Sequence, residues 1–186
     1  FEKGEGSIGI GHPPLSNVFA AVFNTVFYRW LNVLGDVEAY HLYSVFLAAS
    51  LVAIVFYFVA TRYNLFSGII SALSLGLYPL FLGESRYNTK DIPEAVFFSF
   101  SILCFYKGIT SNSVKWIFFS SIFTAFAFGT KFNIVFLPLI IIPWIILYFI
   151  SELKKLEFHK FLKLRIKLIL SFLFFPIIGI LIFLVA

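Results

Sequence analysis

HLYSVFLAASLVAIVFYFVA, residues 41–60, runs for twenty positions without a single Asp, Glu, Lys or Arg. At 1.5 Å per residue a helix of that length covers about 30 Å, the thickness of a bilayer's hydrocarbon core. A helix also satisfies its own backbone polar groups, which a segment crossing lipid must do. The run is therefore read as a membrane span. Working outward, comparable runs recur at 65–82, 92–106, 114–128, 134–150 and 168–186. Recurrence along the whole chain excludes a lone anchor or a signal peptide. Composition agrees, with 61% hydrophobic and 12% charged residues against ~45–50% and ~25% in soluble domains. The runs at 92–106 and 114–128 are shorter than ~20 residues, so polar ends or packing against neighbours must complete them. The expected fold is all-α: one polytopic membrane helix bundle over 1–186, with about six spans.

Residues 1–40 precede the first span. Gly4, Gly6, Gly9 and Gly11 lead into His12-Pro13-Pro14-Leu15, a loop ending at a helix start, where proline is favoured. Over 15–34 the pattern turns amphipathic. Leu15, Val18, Phe19, Val22, Phe23, Val26 and Trp30 share one helical face, with Asn17, Asn24, Thr25, Tyr28 and Asn32 on the other. That pattern suits an interfacial helix lying along the membrane. The chain begins at Phe1 and contains no methionine, so it is read as an interior piece of a longer protein. The single Cys104 sits in an apolar run and offers neither a disulfide framework nor metal-ligand spacing.

The net charge of +5 would suggest nucleic acid in a soluble protein; here it is read as topology. Arg62, Lys107, Lys115, Lys154, Lys155, Lys160, Lys163, Arg165 and Lys167 fall in one alternating set of loops. Lys3, Arg29, Arg86, Lys90 and Lys131 fall in the other. The richer set is expected in the cytoplasm, with the basic segment at 151–167 as a surface helix against anionic lipid. His12, the amphipathic helix, the turn after residue 82 and Lys131 then face outward.

That turn concentrates charges of both signs between two apolar runs. Glu84-Ser85-Arg86-Tyr87-Asn88-Thr89-Lys90-Asp91-Ile92-Pro93-Glu94 places five charges in eleven residues, beside a bilayer in which a mid-depth charge costs about 2.5–3.5 kcal/mol. One reading of Asp91-Ile92-Pro93-Glu94 is local: a helix N-cap, proline in the first turn, and Glu94 complementing the helix dipole. The other is functional, since Arg86 and Lys90 beside a helix N-terminus suit a phosphate. Lys131, in Gly129-Thr130-Lys131-Phe132-Asn133, either snorkels to the interface or adds a third cation on the same side. His12 has no second histidine at metal-ligand spacing. Pro138, Pro143 and Pro176 are read as kinks in the late spans.

In order, these features resemble the GT-C membrane glycosyltransferases of family 39, the protein O-mannosyltransferase type, whose bacterial relatives include the lipid A aminoarabinose transferase. The resemblance rests on His12-Pro13-Pro14-Leu15 before an amphipathic helix, Arg86 followed five residues later by Asp91, the Phe97-Phe98 pair, and Gly129-Thr130-Lys131. It implies transfer of a sugar from a polyprenyl-phosphate donor to a protein or glycolipid hydroxyl on the outer face. The donor is a substrate, so no cofactor or metal is implied, nor any nucleic acid. The donor phosphate would meet Arg86, Lys90 or Lys131. Asp91 would position the acceptor or hold a cation such as Arg86, and His12, Glu84, Tyr87 and Asn88 would line the site. The family's acidic pair, carrying the base, stands upstream of the His-Pro-Pro-Leu motif. Only Glu2 and Glu5 stand there in this chain, neither with an acidic neighbour, so the pair is expected before Phe1. The resemblance implies a multi-pass protein of a prokaryotic plasma membrane, or of the ER membrane in a eukaryote. A transporter or flippase for an anionic lipid, and a non-catalytic scaffold subunit, are the rival readings.

Overall fold

The computed structural model describes residues 15–153 and Ile166, and all regular structure in that range is helical. Helix α1 (Leu15–Asn24) continues as one π-helical turn (Thr25–Trp30) and stops there, short of residue 34. Beyond it Asn32 adopts a left-handed conformation, φ 50°, which asparagine tolerates better than most residues. The face expected to be apolar is divided. Ser16 and Ala20 are buried and Phe19 and Phe23 half-buried, whereas Val18, Val22 and Trp30 are exposed. Small side chains let α1 lie close on the bundle, with Phe19 touching the rings of Tyr43 and Phe126 at 5.8 and 5.6 Å. Asn24 ties α1 to the next helix by donating to the Asp36 carbonyl and carboxylate at 2.8 and 2.6 Å.

Helix α2 (Asp36–Arg62) has 27 residues, about 40 Å at 1.5 Å each, enough to cross a bilayer with tilt. The run at 65–82 was expected as one span but is broken. Helix α3 (Leu65–Gly76) and helix α4 (Pro79–Tyr87) meet at 59°. Proline at the first position of α4 explains the break, because its ring cannot continue the preceding helix. Helix α5 (Asp91–Thr110) and helix α6 (Val114–Thr130) form the central hairpin. Asn112 turns between them at φ 51°, with Ser113 N–H donating to the Gly108 carbonyl at 2.9 Å and Asn112 N–H to that of Ile109. This pairing closes the last turn of α5 and satisfies carbonyls that would otherwise be orphaned.

Across the hairpin, Ser101 Oγ lies 2.7 Å from Thr124 Oγ1, and Ser120 Oγ donates to the Ser101 carbonyl at 2.9 Å. Phe97, Phe100, Phe123 and Phe126 interlock beside these hydroxyls. A 3₁₀ turn (Phe132–Phe136) then leads into helix α7 (Leu137–Leu153). Pro138 is the second residue of α7, where its missing N–H is no loss, and so starts the helix rather than kinking it; Pro143 lies inside it.

By length and composition, three segments can cross a membrane: Asp36–Arg62, Asp91–Thr110 and Phe132–Glu152, or four if α3 and α4 count as one bent span. Val114–Thr130 is apolar but shorter. Six spans are therefore more than the described residues supply, and the last expected one, 168–186, lies outside them. These segments make the chain an integral, multi-pass membrane protein.

The helix order gives the bundle two chemically different ends. At one end the Arg62 guanidinium lies 4.9 Å over Tyr106 and the Lys107 ammonium 4.1 Å over Trp116. At the other, the last turn of α4, the start of α5 and the end of α6 come together.

Candidate functional site

The second end is organised by Asn88. Its side-chain Oδ1 accepts from the backbone N–H groups of Lys90 and Asp91 at 3.0 and 2.8 Å. Its Nδ2 donates to Glu84 Oε2 at 2.8 Å and Asp91 Oδ2 at 2.9 Å. One amide thus links the last turn of α4 to the first of α5 and supplies the cap expected of Asp91, which is instead the first residue of the helix. Ser16 Oγ donates to the Thr89 carbonyl, so α1 borders this turn.

Freed from capping, Asp91 turns across the site. The Lys131 ammonium donates to Asp91 Oδ1 at 2.7 Å. The end of α6 delivers it: Lys131 follows Thr130 in extended conformation, and Thr130 is fully buried with its hydroxyl on the Phe126 carbonyl at 2.9 Å. The cation Asp91 holds is therefore Lys131 and not Arg86. The hydrogen bond it donates to Asp91 raises the Lys131 pKa above the ordinary 10.5; slight burial opposes this, and the charges of Asp91 and Glu94 add to it.

Glu94 lies in the first turn of α5, as expected, but its burial was not foreseen. Assigned to the helix dipole, it is 8% exposed, with its Oε1 buried and without a hydrogen-bond partner among the described residues. It stands one turn beyond Asp91 on the same face. A carboxylate inside an apolar run, three residues after another acid, was the signal that could have found it. Two acidic groups therefore attend Lys131, which makes it a poor lone partner for a phosphate.

Arg86 has a different setting. It is exposed in the last turn of α4 and forms no ion pair among the described residues. Lys90 is half-buried at the head of α5. Tyr87 is exposed and meets the His41 ring edge-on at 6.2 Å. His12 lies outside the described residues. Among those residues, no group of three His, Cys, Asp or Glu is placed to hold a metal ion.

The bend between α3 and α4 borders a cavity of about 500 Å³. Ala48 and Val52 of α2, Ala72 and Gly76 of α3, and Phe81 and Ser85 of α4 line it. Its walls are almost wholly apolar, and Leu82, which also lines it, lies four residues before Arg86 on one face of α4. The cavity thus reaches the last turns of α4, where Arg86 directly follows the lining residue Ser85.

No curated protein and no solved structure matches the chain. A family model described as dolichyl-phosphate-mannose-protein mannosyltransferase matches residues 11–182, nearly all of it. That span contains the Asn88 turn, the Asp91–Lys131 pair, Arg86 and the cavity, and the chain belongs to this family of lipid-linked-sugar glycosyltransferases.

Proposed function

We propose that the chain handles the donor of a reaction that transfers mannose from a polyprenyl-phosphate carrier to a protein hydroxyl on the extracytoplasmic side. The observation that carries this reading is the apolar cavity of about 500 Å³ that reaches Leu82 and Ser85 of α4, with the exposed Arg86 next in the chain. A lipid-phosphate sugar has two dissimilar halves, a prenyl chain and an anionic head. An apolar groove for the first and the cations Arg86 and Lys90 in the turn that follows for the second would suit both. The volume falls within the ~300–1,000 Å³ of ordinary ligand sites.

In the transfer, the acceptor oxygen bonds to the anomeric carbon as that carbon's bond to the phosphate oxygen breaks. The bonding pair leaves with the phosphate, and the hydroxyl proton passes to a base. Negative charge grows on the phosphate, where Arg86, with Lys90 nearby, stabilises it as a planar fork matched to phosphate oxygens. Lys131, already engaged by Asp91, serves the acceptor side. The outward assignment is supported by the basic residues Arg62 and Lys107 at the far end of the bundle.

The test is photocrosslinking of the full-length protein with a polyprenyl phosphate carrying a photoreactive group on its chain. Label is expected in α2 between residues 45 and 56 and in α3 at 72–76, competed by polyprenyl-phosphate mannose and not by phosphatidylglycerol. Label spread evenly over lipid-facing helices, or displaced equally by phosphatidylglycerol, would contradict the reading.

A further inference from the structure

Glu94 puts a second carboxyl inside a membrane helix, a placement that is expensive and commonly functional. Its Oε1 is buried without a hydrogen-bond partner among the described residues, and buried polar groups are seldom left so. One turn away, Asp91 holds Lys131 at 2.7 Å. The ammonium has three N–H donors on a flexible four-carbon stem and stands within electrostatic reach of both carboxyls. One cation therefore has two resting places, one occupied and one vacant.

We propose that Lys131 passes from Asp91 to Glu94 when an acceptor hydroxyl binds at Asp91, which makes Glu94 a positioning residue for the transfer. The proposal rests on the mannosyltransferase reading given above. In the first position the Asp91–Lys131 pair closes the acceptor side. In the second, Lys131 moves inward and gives the buried carboxyl its missing partner, while Asp91 Oδ1 accepts a hydrogen bond from the hydroxyl and orients it. No bond to carbon forms or breaks in this exchange, and any proton Glu94 holds at rest passes to solvent when the ammonium arrives. The hydroxyl replaces at Asp91 what the ammonium gives up, so the exchange is coupled to acceptor binding.

The experiment uses the full-length protein, a polyprenyl-phosphate mannose donor and a peptide bearing a hydroxyl. Glu94→Gln keeps the side chain's shape and removes its charge. It should lower kcat about ten- to a hundredfold, the worth of one charge-assisted hydrogen bond, with the donor KM unchanged. Glu94→Asp should recover part of the loss. A Glu94→Gln protein turning over at the wild-type rate overturns the proposal.

A second measurement needs no activity: thermal unfolding of Glu94→Gln, Asp91→Asn and the double variant. With Asp91 neutralised, Lys131 has only Glu94, so Glu94→Gln should lower the Tm more in that background than in the wild type. Equal effects in both backgrounds overturn the proposal. So does failure of Glu94→Gln alone to fold, because a carboxyl without a resting partner cannot be what holds the fold. Absence of transfer by the wild type, with the Tm coupling present, would remove the enzymatic reading while supporting the shared ammonium.

Discussion

At the residue scale the site depends on Asn88, whose one amide makes four hydrogen bonds across the α4–α5 turn. Asn88→Ala would orphan two backbone N–H groups at the start of α5. Loss of such a cap costs about 0.5–2 kcal/mol, and a lower thermal midpoint in detergent would register it. Asn88→Asp should keep the cap but repel Glu84 and Asp91, giving an intermediate midpoint. Lys131 makes a different prediction. Its pKa is raised in the folded state by the hydrogen bond to Asp91. The pair's stabilisation is therefore full below the ordinary lysine value of 10.5 and lost as pH climbs past the raised value. Lys131→Met should show a constant midpoint deficit from pH 6 to 9, one that shrinks only in strong alkali. With the partners 28% and 54% exposed, the deficit should be that of a partly solvated pair, about 0–1 kcal/mol. A deficit that changed around neutral pH would mean another group titrates there. Charge density in the sequence was enough to single out the turn holding Glu84, Arg86, Lys90 and Asp91, while Asn88 entered through the resemblance and Lys131 through its place between two apolar runs. Their partners were not legible, because the pair that matters joins residues 40 positions apart.

At the element scale, hydropathy located most of the helices and misjudged their continuity. Pro79 already marked the break between α3 and α4, but a window that sums apolar character does not register a missing N–H. The break matters because residues on both sides of it, Ala72 and Gly76 of α3 and Phe81, Leu82 and Ser85 of α4, line the cavity. Close packing on α2 holds α3 in place. A Cβ added at Gly68 would lie 2.7 Å from the Cβ of Ala60 and 3.1 Å from its backbone N. Gly83, in α4, has nothing within 4 Å of such a Cβ. Both glycines are helical, so alanine should gain up to about 1 kcal/mol from propensity. At Gly68 that gain is outweighed by overpacking, which costs about 1–3 kcal/mol. Gly68→Ala should lower the thermal midpoint and Gly83→Ala should raise it. The same sign at both positions would show that α3 does not rest on α2 as described. The amphipathic helix was legible as an element but not in orientation: the small residues Ser16 and Ala20 give closer contact than the larger Val18 and Val22, which a hydrophobicity pattern ranks higher.

At the scale of the whole molecule, the two ends of the bundle carry the functional argument. Cations rest on aromatic rings at one end, and Asp91, Glu94, Lys131 and Arg86 gather at the other. After replacement of the buried Cys104, a cysteine at Lys90 should react with an impermeant reagent from outside, and one at Lys107 should not. Equal labelling would remove the extracytoplasmic assignment. Family membership and helical class were both legible in the sequence, the first through short motifs kept in order and the second through apolar run length. The setting of the cations was not, since only the folded chain shows Lys131 paired with Asp91 and Arg86 in no ion pair among the described residues. The most direct measurement of the central claim is transfer of labelled mannose from polyprenyl-phosphate mannose by the full-length protein, wild type against Arg86→Ala, with donor binding measured on both. Loss of one transition-state donor should cut kcat by about 10²–10³ and weaken donor binding far less, with Arg86→Lys recovering only part. Wild-type turnover in Arg86→Ala, or a loss confined to donor binding, would contradict the account.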